Sequence, residues 1–324
     1  MTSEPTERLP EPPTGITVSI PTIRPATVEK AIASVRRQSF ANWELLVVMQ
    51  GDDAELRRVV DEQALADDRI RGLWVAERGL NRARNLAIAA ARFDTVAFVD
   101  DDCEADANWL RCIVDAIRAD PDVGLLAGTL VAPPAPRRRI SVCPSVAPAD
   151  FTYRPKASDP VMPPGSDYAG ANLTVRRWAH SRVGPFDEEL GPGTPLRGGD
   201  DLDFVLRAAR AGVPIRFLPG AVVRHSFGRR FGLRAAVALR TGYGIGHGAV
   251  AAKMTHMSDP GAEIWNGRLW RRHIWHESLV SPIPRLRPDK IVTSLPRLIA
   301  FEHAYRKCLR EYGVDDADLL VRRP

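Results

Sequence analysis

Along the first hundred residues, short continuous apolar runs alternate with segments whose apolar positions recur every three or four residues. The run ITVSIPT (16–22) is rich in β-branched residues and is stopped by Pro21, which predicts a strand. TVEKAIASVRRQ (27–38) then places Val28, Ala31, Ile32 and Val35 on one helical face. WELLVVMQGDD (43–53) repeats the plan, its unbroken apolar stretch suiting a strand covered on both faces. ARNLAIAAARF (83–93) predicts an Ala-rich helix and TVAFV (95–99) a third strand. Strands alternating with helices argue for an α/β fold with a mostly parallel sheet and right-handed crossovers.

The pattern is less regular further on. Residues 131–167 are crowded with proline and read as a long connection passing over one sheet edge, a candidate active-site wall. GANLTVRRW (170–178) resumes a strand. DDLDFVLRAARAG (200–212) predicts an amphipathic helix with Leu202, Phe204, Val205 and Ala208 inward and Gly212 closing it. PIRFLPGAVVRHS (214–226) reads as two short strands around Pro219-Gly220. Beyond it, FGLRAAVALRTGYGIGHGAVAAKM has helical spacing interrupted by Gly242, Gly244, Gly246 and Gly248. No internal repeat is visible.

Composition narrows the classes. With 324 residues, 44% hydrophobic and 26% charged, the chain is globular and has room for one large domain or two moderate ones. No apolar stretch reaches the roughly 20 residues of a membrane span. The opening MTSEPTERLPEPPTG is acidic and Pro-rich, unlike a signal peptide, so residues 1–14 are expected to be a flexible tail and the location cytoplasmic. Cys103, Cys112, Cys143 and Cys308 form no CxxC pair and imply neither a zinc site nor a disulfide framework. The net charge of +5 is uneven: residues 229–324 hold 17 Lys/Arg against 9 Asp/Glu, whereas 1–228 hold 28 against 31. That surplus suits an anionic partner or a solvated face, and no nucleic-acid-binding signature accompanies it.

In open α/β sheets ligands sit beyond the C-terminal strand ends, and all three early strands end in unusual chemistry: Pro21-Thr22, Gln50-Gly51-Asp52, and Asp100-Asp101-Asp102. Like charges about 4 Å apart repel by roughly 1 kcal/mol in water and by about 4 kcal/mol in a partly buried site, so three adjacent carboxylates call for a nearby cation. In an extended strand Asp100 and Asp102 would share a face with Cα atoms roughly 6.5–7 Å apart, a spacing suited to one hard divalent ion. The competing reading is an acidic turn capping a helix that begins near Asp106. A DDxxD motif would need an acid at Ala105, and a DxDx[TV] motif would need Thr or Val at Glu104.

Seven segments then occur in one order: VSIPT, RGLNRARNLAI (78–88), the DDD run, GANLTVRR, VGPFDEELG, GGDDLDFVLRAARAG and LPGAVVRHS. Together they resemble the inverting family 2 glycosyltransferases of the GT-A fold, over roughly residues 15–228. The resemblance implies a Rossmann-like, mostly parallel sheet with flanking helices, followed here by a basic, mainly helical region at 229–324. It implies metal-dependent transfer, by a hexosyltransferase-type enzyme, of a sugar from a nucleoside diphosphate donor to an acceptor hydroxyl. The setting would be polysaccharide, glycolipid or glycosylated-metabolite synthesis.

Residue by residue, Asp100 and Asp102 fall on the family's DxD pair and His225 on a histidine that supplies a further ligand, so these three would hold Mn²⁺ or Mg²⁺, with Asp100 and Asp101 also reaching the donor. Asp200 and Asp201 occupy the Glu-Asp pair whose second member is the general base; Asp201 is the expected base and Asp200 the alternative. Pro21, Thr22 and Arg24 match the loop around base and ribose, Arg82, Arg84 and Asn85 the ARN segment near the nucleotide, and Gly170 and Asn172 the GxN segment beside the donor sugar. Trp178 is a candidate for the acceptor side or a core residue. Gln50 stands where most relatives carry an aspartate, which leaves UDP, dTDP and GDP donors open.

RLWRRHIWHESL (268–279) interleaves Trp270 and Trp275 with arginines, so this region is expected either to dock on an anionic membrane near a lipid-linked acceptor or to form a helical cap over the site. Two other classes remain: a GT-A-like nucleotidyltransferase, although PTIRPAT lacks the Gly-rich loop it would need, and a non-catalytic nucleotide-sugar-binding relative.

Overall fold

The computed structural model describes residues 14–134, 141–156, 162–163, 165–257 and 288–313. The alternating pattern becomes β1 (Ile16–Thr22), α1 (Pro25–Arg36), β2 (Trp43–Gln50), α2 (Ala54–Ala66), β3 (Ile70–Val75), α3 (Leu80–Ala90) and β4 (Thr95–Phe98). α1 opens two residues before the predicted start because Pro25, with its fixed φ and missing N–H, suits the first helical turn. Asp53 caps α2, accepting from Leu56 N–H at 2.9 Å. The chain continues through β5 (Glu104–Ala105), α4 (Trp109–Ala119), β6 (Leu125–Val131), β7 (Ser141–Val142), β8 (Phe151–Tyr153), β9 (Leu173–Arg176), α5 (Arg177–Val183), α6 (Asp200–Arg210), β10 (Ile215–Arg224), β11 (Arg230–Phe231), α7 (Leu233–Met257) and α8 (Pro288–Glu311).

The central sheet has the order β3-β2-β1-β4-β9-β6-β10-β5, with β8 also paired to β10. β1–β4, β6 and β10 run one way; β5, β8 and β9 are reversed. Period-2 alternation divides the core between the two faces. Leu46, Val48, Val96 and Phe98 pack with α3, α5 and α6. Leu45, Val47, Ala97 and Val99 pack with α1, α2 and α4. Burying both faces is why β2 is continuously apolar from Leu45 to Met49 and why β1 sets only the small hydroxyl residues Thr17 and Ser19 among its apolar ones.

Four expectations need correction. β3 and β6 escape the pattern because Arg71 and Gly72 break one run and Gly128 and Thr129 the other. Residues 214–226 form one strand, not two: β10 runs through Pro219-Gly220, and its pairing with β6 shifts register between Leu218 and Val222, a bulge that absorbs the proline. The 131–167 connection carries β7 and β8, the latter extending the sheet.

The glycines of 242–248 do not break a helix; α7 continues through them. A Cβ at Gly244 or Gly248 would overlap backbone carbonyls of Arg297 and Phe301 in α8, and one at Gly246 would overlap Gly198. They permit two close approaches, one on each side of α7. Leu298, Phe301, Ala249, Val250 and Met254 join the same cluster as β4 and α6, so this pair shares the core of the sheet domain. Residues 1–13 and 268–279, and the expectations placed on them, lie outside the described residues. Among the described residues no helix is long and apolar enough to cross a membrane.

Candidate active site

β4 ends at Phe98, so Asp100–Asp102 do not alternate as a strand would; they form a turn closed by Cys103 N–H donating to the Asp100 carbonyl at 3.0 Å. All three carboxylates therefore line one cavity of about 380 Å³ at the strand ends. Thr22 Oγ1 donates to Asp101 Oδ2 at 2.7 Å, and Arg24, just past β1, reaches both Asp101 and, at 3.1 Å, Asp102 Oδ2. Arg24 is one source of the positive charge that the acidic run requires.

His225, immediately beyond β10, is the second neighbour of the acidic run. Its N–H donates to the Val131 carbonyl at 2.9 Å, and its Nε2 stands 3.2 Å from Asp102 Oδ1. On the other side of the ring, Nδ1 meets Cys143 Sγ at 2.9 Å. Burial pushes the Asp102 carboxyl up, but the hydrogen bond and charge of His225 and the charges of Arg24 and Arg230 outweigh it and hold the group at about 2. At Asp100 burial dominates instead; Arg84 offsets part of it, the neighbouring aspartates add to it, and the group rises to about 6.

The donor atoms of Asp102, Cys103 and His225 lie within 4.8 Å of one another. Buried among carboxylates, the Cys103 thiol is pushed well above its ordinary value and stays protonated, a poor ligand for a hard ion. The carboxylate and imidazole form a donor set suited to Mn²⁺, and the Nδ1–Cys143 contact leaves Nε2 facing Asp102.

The second acidic pair is divided by its surroundings. Arg84 is fully buried; its Nη1 donates to Asp200 Oδ2 at 2.6 Å and to Asn81 Oδ1 at 3.0 Å, and its plane lies near the Phe98 and Phe186 rings. Asp200 is thus neutralised. Asp201 has no ion-pair partner among the described residues; Gly170 N–H and Leu202 N–H each donate to one of its oxygens at 2.8 Å. Burial, then the charge of Asp200, raise its pKa to about 6 against the pull of Arg84 and the two N–H groups. Tyr243 lines the cavity from α7, its phenol pushed up to about 12 by burial and by Asp201 and Asp200, so it remains a donor.

Of the other residues singled out from sequence, Pro21, Thr22, Arg24 and Gln50 line the cavity. Gln50 Oε1 accepts from Gly79 N–H at 2.9 Å, leaving its NH₂ as a donor. Gly170 is a backbone support for Asp201, and a Cβ there would overlap the Arg84 guanidinium. Asn172 is buried, donating to the Thr129 and Ala221 carbonyls and accepting from Trp109 Nε1, each at 2.8 Å. Arg82 pairs at the surface with Glu77 and Glu188, and Asn85 holds Phe186 and Glu188. Trp178 packs against the core beside Gly124. Arg82, Arg84, Asn85, Gly170, Asn172, Trp178, Asp200 and Asp201 are not among the residues that line the cavity.

Arg78, Arg197, Arg230, Leu80 and Tyr243 line the cavity and were not anticipated. Arg78 adjoins the RGLNRARN segment and Arg197 lies in the quoted glycine-rich stretch, but an arginine in a loop carries no periodicity that would mark it.

The mixed sheet with acidic strand ends and a second acidic helix start fits a GT-A architecture, and the comparisons agree. The chain belongs to the family 2 glycosyltransferases: the model of "Glycosyl transferase family 2" matches residues 17–166 and that of "Glycosyl transferase family group 2" residues 95–287. It is 26% identical over 166 residues to a glucosyl-dolichyl phosphate glucuronosyltransferase of Haloferax volcanii, covering 50% of this chain and 51% of that protein. It is 32% identical over 172 residues to the pre-mycofactocin glycosyltransferase of Mycobacterium tuberculosis, covering 52% of this chain and 34% of that protein. The chain thus spans about half the length of the first relative and a third of the second.

Among solved structures, a Pyrobaculum calidifontis mannosyltransferase in complex with GDP-Man and Mn²⁺ superposes with a TM-score of 0.59 at 18% identity, over 91% of this chain and 87% of that one. Residues 1–349 of S. aureus TarS in complex with UDP-GlcNAc give 0.57 at 14% identity, over 93% and 92%. These likenesses establish the GT-A fold.

Proposed function

We propose that the protein transfers a sugar, with inversion, from a nucleoside diphosphate donor to an acceptor hydroxyl, and that Asp201 is the general base. The observation that carries this reading is the division of labour between the two acidic sites. One carboxylate–imidazole pair, Asp102–His225, stands at the strand ends; one unpaired carboxylate of raised pKa, Asp201, stands at the start of α6. Inversion needs a base for the acceptor oxygen, which attacks the anomeric carbon opposite the departing diphosphate, and the Asp102–His225 end would meet the charge of that leaving group.

Asp201 takes the acceptor proton as the new C–O bond forms; the bond to the diphosphate breaks, and that electron pair leaves with the nucleotide. The backbone N–H groups of Gly170 and Leu202 orient the carboxylate, and Arg84 keeps Asp200 from competing. Asp102 and His225 would hold a divalent ion, with Asp100 adjoining; such an ion supplies Lewis-acid stabilisation of the leaving diphosphate. Arg230, whose charge acts on Asp102, adds positive charge at that end. Thr22, Arg24, Asp101, Gln50 and Arg78 form the base and ribose end. The GDP-Man, UDP-GlcNAc and Mn²⁺ of the structural neighbours support a nucleotide-sugar donor and a manganese-type ion. That two relatives are a glucosyl-dolichyl phosphate glucuronosyltransferase and a pre-mycofactocin glycosyltransferase supports a role in biosynthetic glycosylation.

Calorimetric titration with UDP, dTDP and GDP, with and without Mn²⁺, tests the reading. One nucleotide should bind in a Mn²⁺-dependent manner to the wild type and at least tenfold more weakly to Asp102→Ala. No binding of any nucleotide under either condition would refute it.

A further inference from the structure

The proposed reaction gives work to every cation of the cavity except Arg197. Arg24 is committed to Asp101 and Asp102, Arg230 acts on Asp102, and Arg78 lies over Gly51 at the end of β2. Arg197 belongs to a different wall, made by the 191–199 loop and α7 with Tyr243 and Leu239, and it stands four residues before Asp201. It has no ion-pair partner among the described residues, and Asp200, its nearest acidic neighbour in sequence, is already neutralised by Arg84.

Its backbone also stands out. Arg197 is the one non-glycine among the described residues with positive φ, at 57°, although Gly198 and Gly199 follow it directly. A side chain held in left-handed backbone beside two glycines costs free energy that a third glycine would have avoided. The loop is fastened on both flanks: Leu80 N–H donates to the Pro192 carbonyl at 3.1 Å, and Gly246 lets the α7 backbone close on Gly198 and Gly199. The fold thus presents a guanidinium at the cavity wall, on the loop that leads into α6, without a counterion among the described residues.

We infer that Arg197 is an anion receptor at the acceptor end of the cavity, so that one of the two molecules joined there carries a phosphate or carboxylate next to the reacting centre. The inference rests on the proposed transferase reading and deepens it.

The test begins with the protein saturated with its nucleotide and Mn²⁺. Methyl phosphate, as a stand-in for an anionic acceptor, is titrated into wild type, Arg197→Gln, Arg197→Gly and Arg197→Lys; the glycine variant removes the guanidinium where the backbone already suits glycine, so it should fold at least as well. In a second arm, the uronate and neutral hexose forms of the same nucleotide sugar are compared. Nucleotide affinity should stay within twofold in all variants. Either methyl phosphate binding or preference for the uronate donor should fall at least tenfold in the glutamine and glycine variants and be largely retained by lysine. The first result places the anionic group on the acceptor, the second on the transferred sugar. Loss in neither arm, or phosphate binding that disappears once nucleotide is present, would overturn the inference. Failure of the wild type to bind any nucleotide would remove the transferase reading beneath it, and the inference with it.

Discussion

Asp201 and Asp200 are adjacent in sequence and chemically identical, yet their environments separate them. Asp200 faces a buried guanidinium, while Asp201 faces two N–H groups and the repulsion of its neighbour. A base whose pKa is raised to about 6 is still ionised at pH 7 and holds a proton more readily than an ordinary carboxylate. Activity should therefore fall about tenfold per pH unit below pH 6, whereas a base of ordinary pKa would hold its rate to about pH 4; a flat profile down to pH 5 would argue against this assignment. Because the folded-state value lies above that of a free aspartate, ionisation costs native stability above about pH 6, and the cost is relieved as pH falls through that value. Asp201→Asn should accordingly lower the rate by about 10²- to 10⁴-fold while leaving Tm at pH 7.5 unchanged or higher. A large drop in Tm would mark the residue as structural.

α7 shows how an element can matter through what it lacks. Its glycines at 242 and 246 meet the loop before α6, and those at 244 and 248 meet α8. Lys253 extends the attachment, its Nζ lying 2.9 Å from the buried Asp203 of α6. Gly246→Ala would force the added methyl into Gly198, and overpacking of this kind typically costs about 1–3 kcal/mol. The expected result is a Tm lower by several degrees and a kcat reduced at least tenfold, with nucleotide affinity unchanged, since the strand-end wall is not touched. Equal losses in nucleotide binding and kcat would show a general loosening instead.

Two acidic clusters roughly one hundred positions apart in the chain are brought near each other, both acting on Tyr243 of the cavity wall, because β1 and β4 pair side by side and α6 packs against the same core as α3 and β4. A nucleotide and ion bound there would join the ends of β1, β2 and β4 to His225 beyond β10, so they should stabilise the sheet unit. Nucleotide and Mn²⁺ at a hundred times the Kd should add about 2.7 kcal/mol. The transition should rise by several degrees, return to the ligand-free value with EDTA, and not move in Asp102→Ala. A rise that survives EDTA would show nucleotide binding without a metal.

The strands and helices of the first hundred residues follow from local pattern, because a strand buried on both faces and a helix buried on one leave unmistakable periodicities. The acidic residues were legible too, since adjacent like charges have few structural uses. Sequence alone also determined the family, through seven short segments in one order. It did not show that β10 is a single bulged strand, nor that the glycines of α7 are a packing surface, because both depend on partners remote in the chain. Nor could it separate Asp201 from Asp200, bury Arg84 against Asp200, set Trp178 away from the cavity, or bring Arg197 to the cavity wall. Those are questions of distance and burial, and charges that are equivalent along the chain become distinct only when tertiary packing decides which of them is paired.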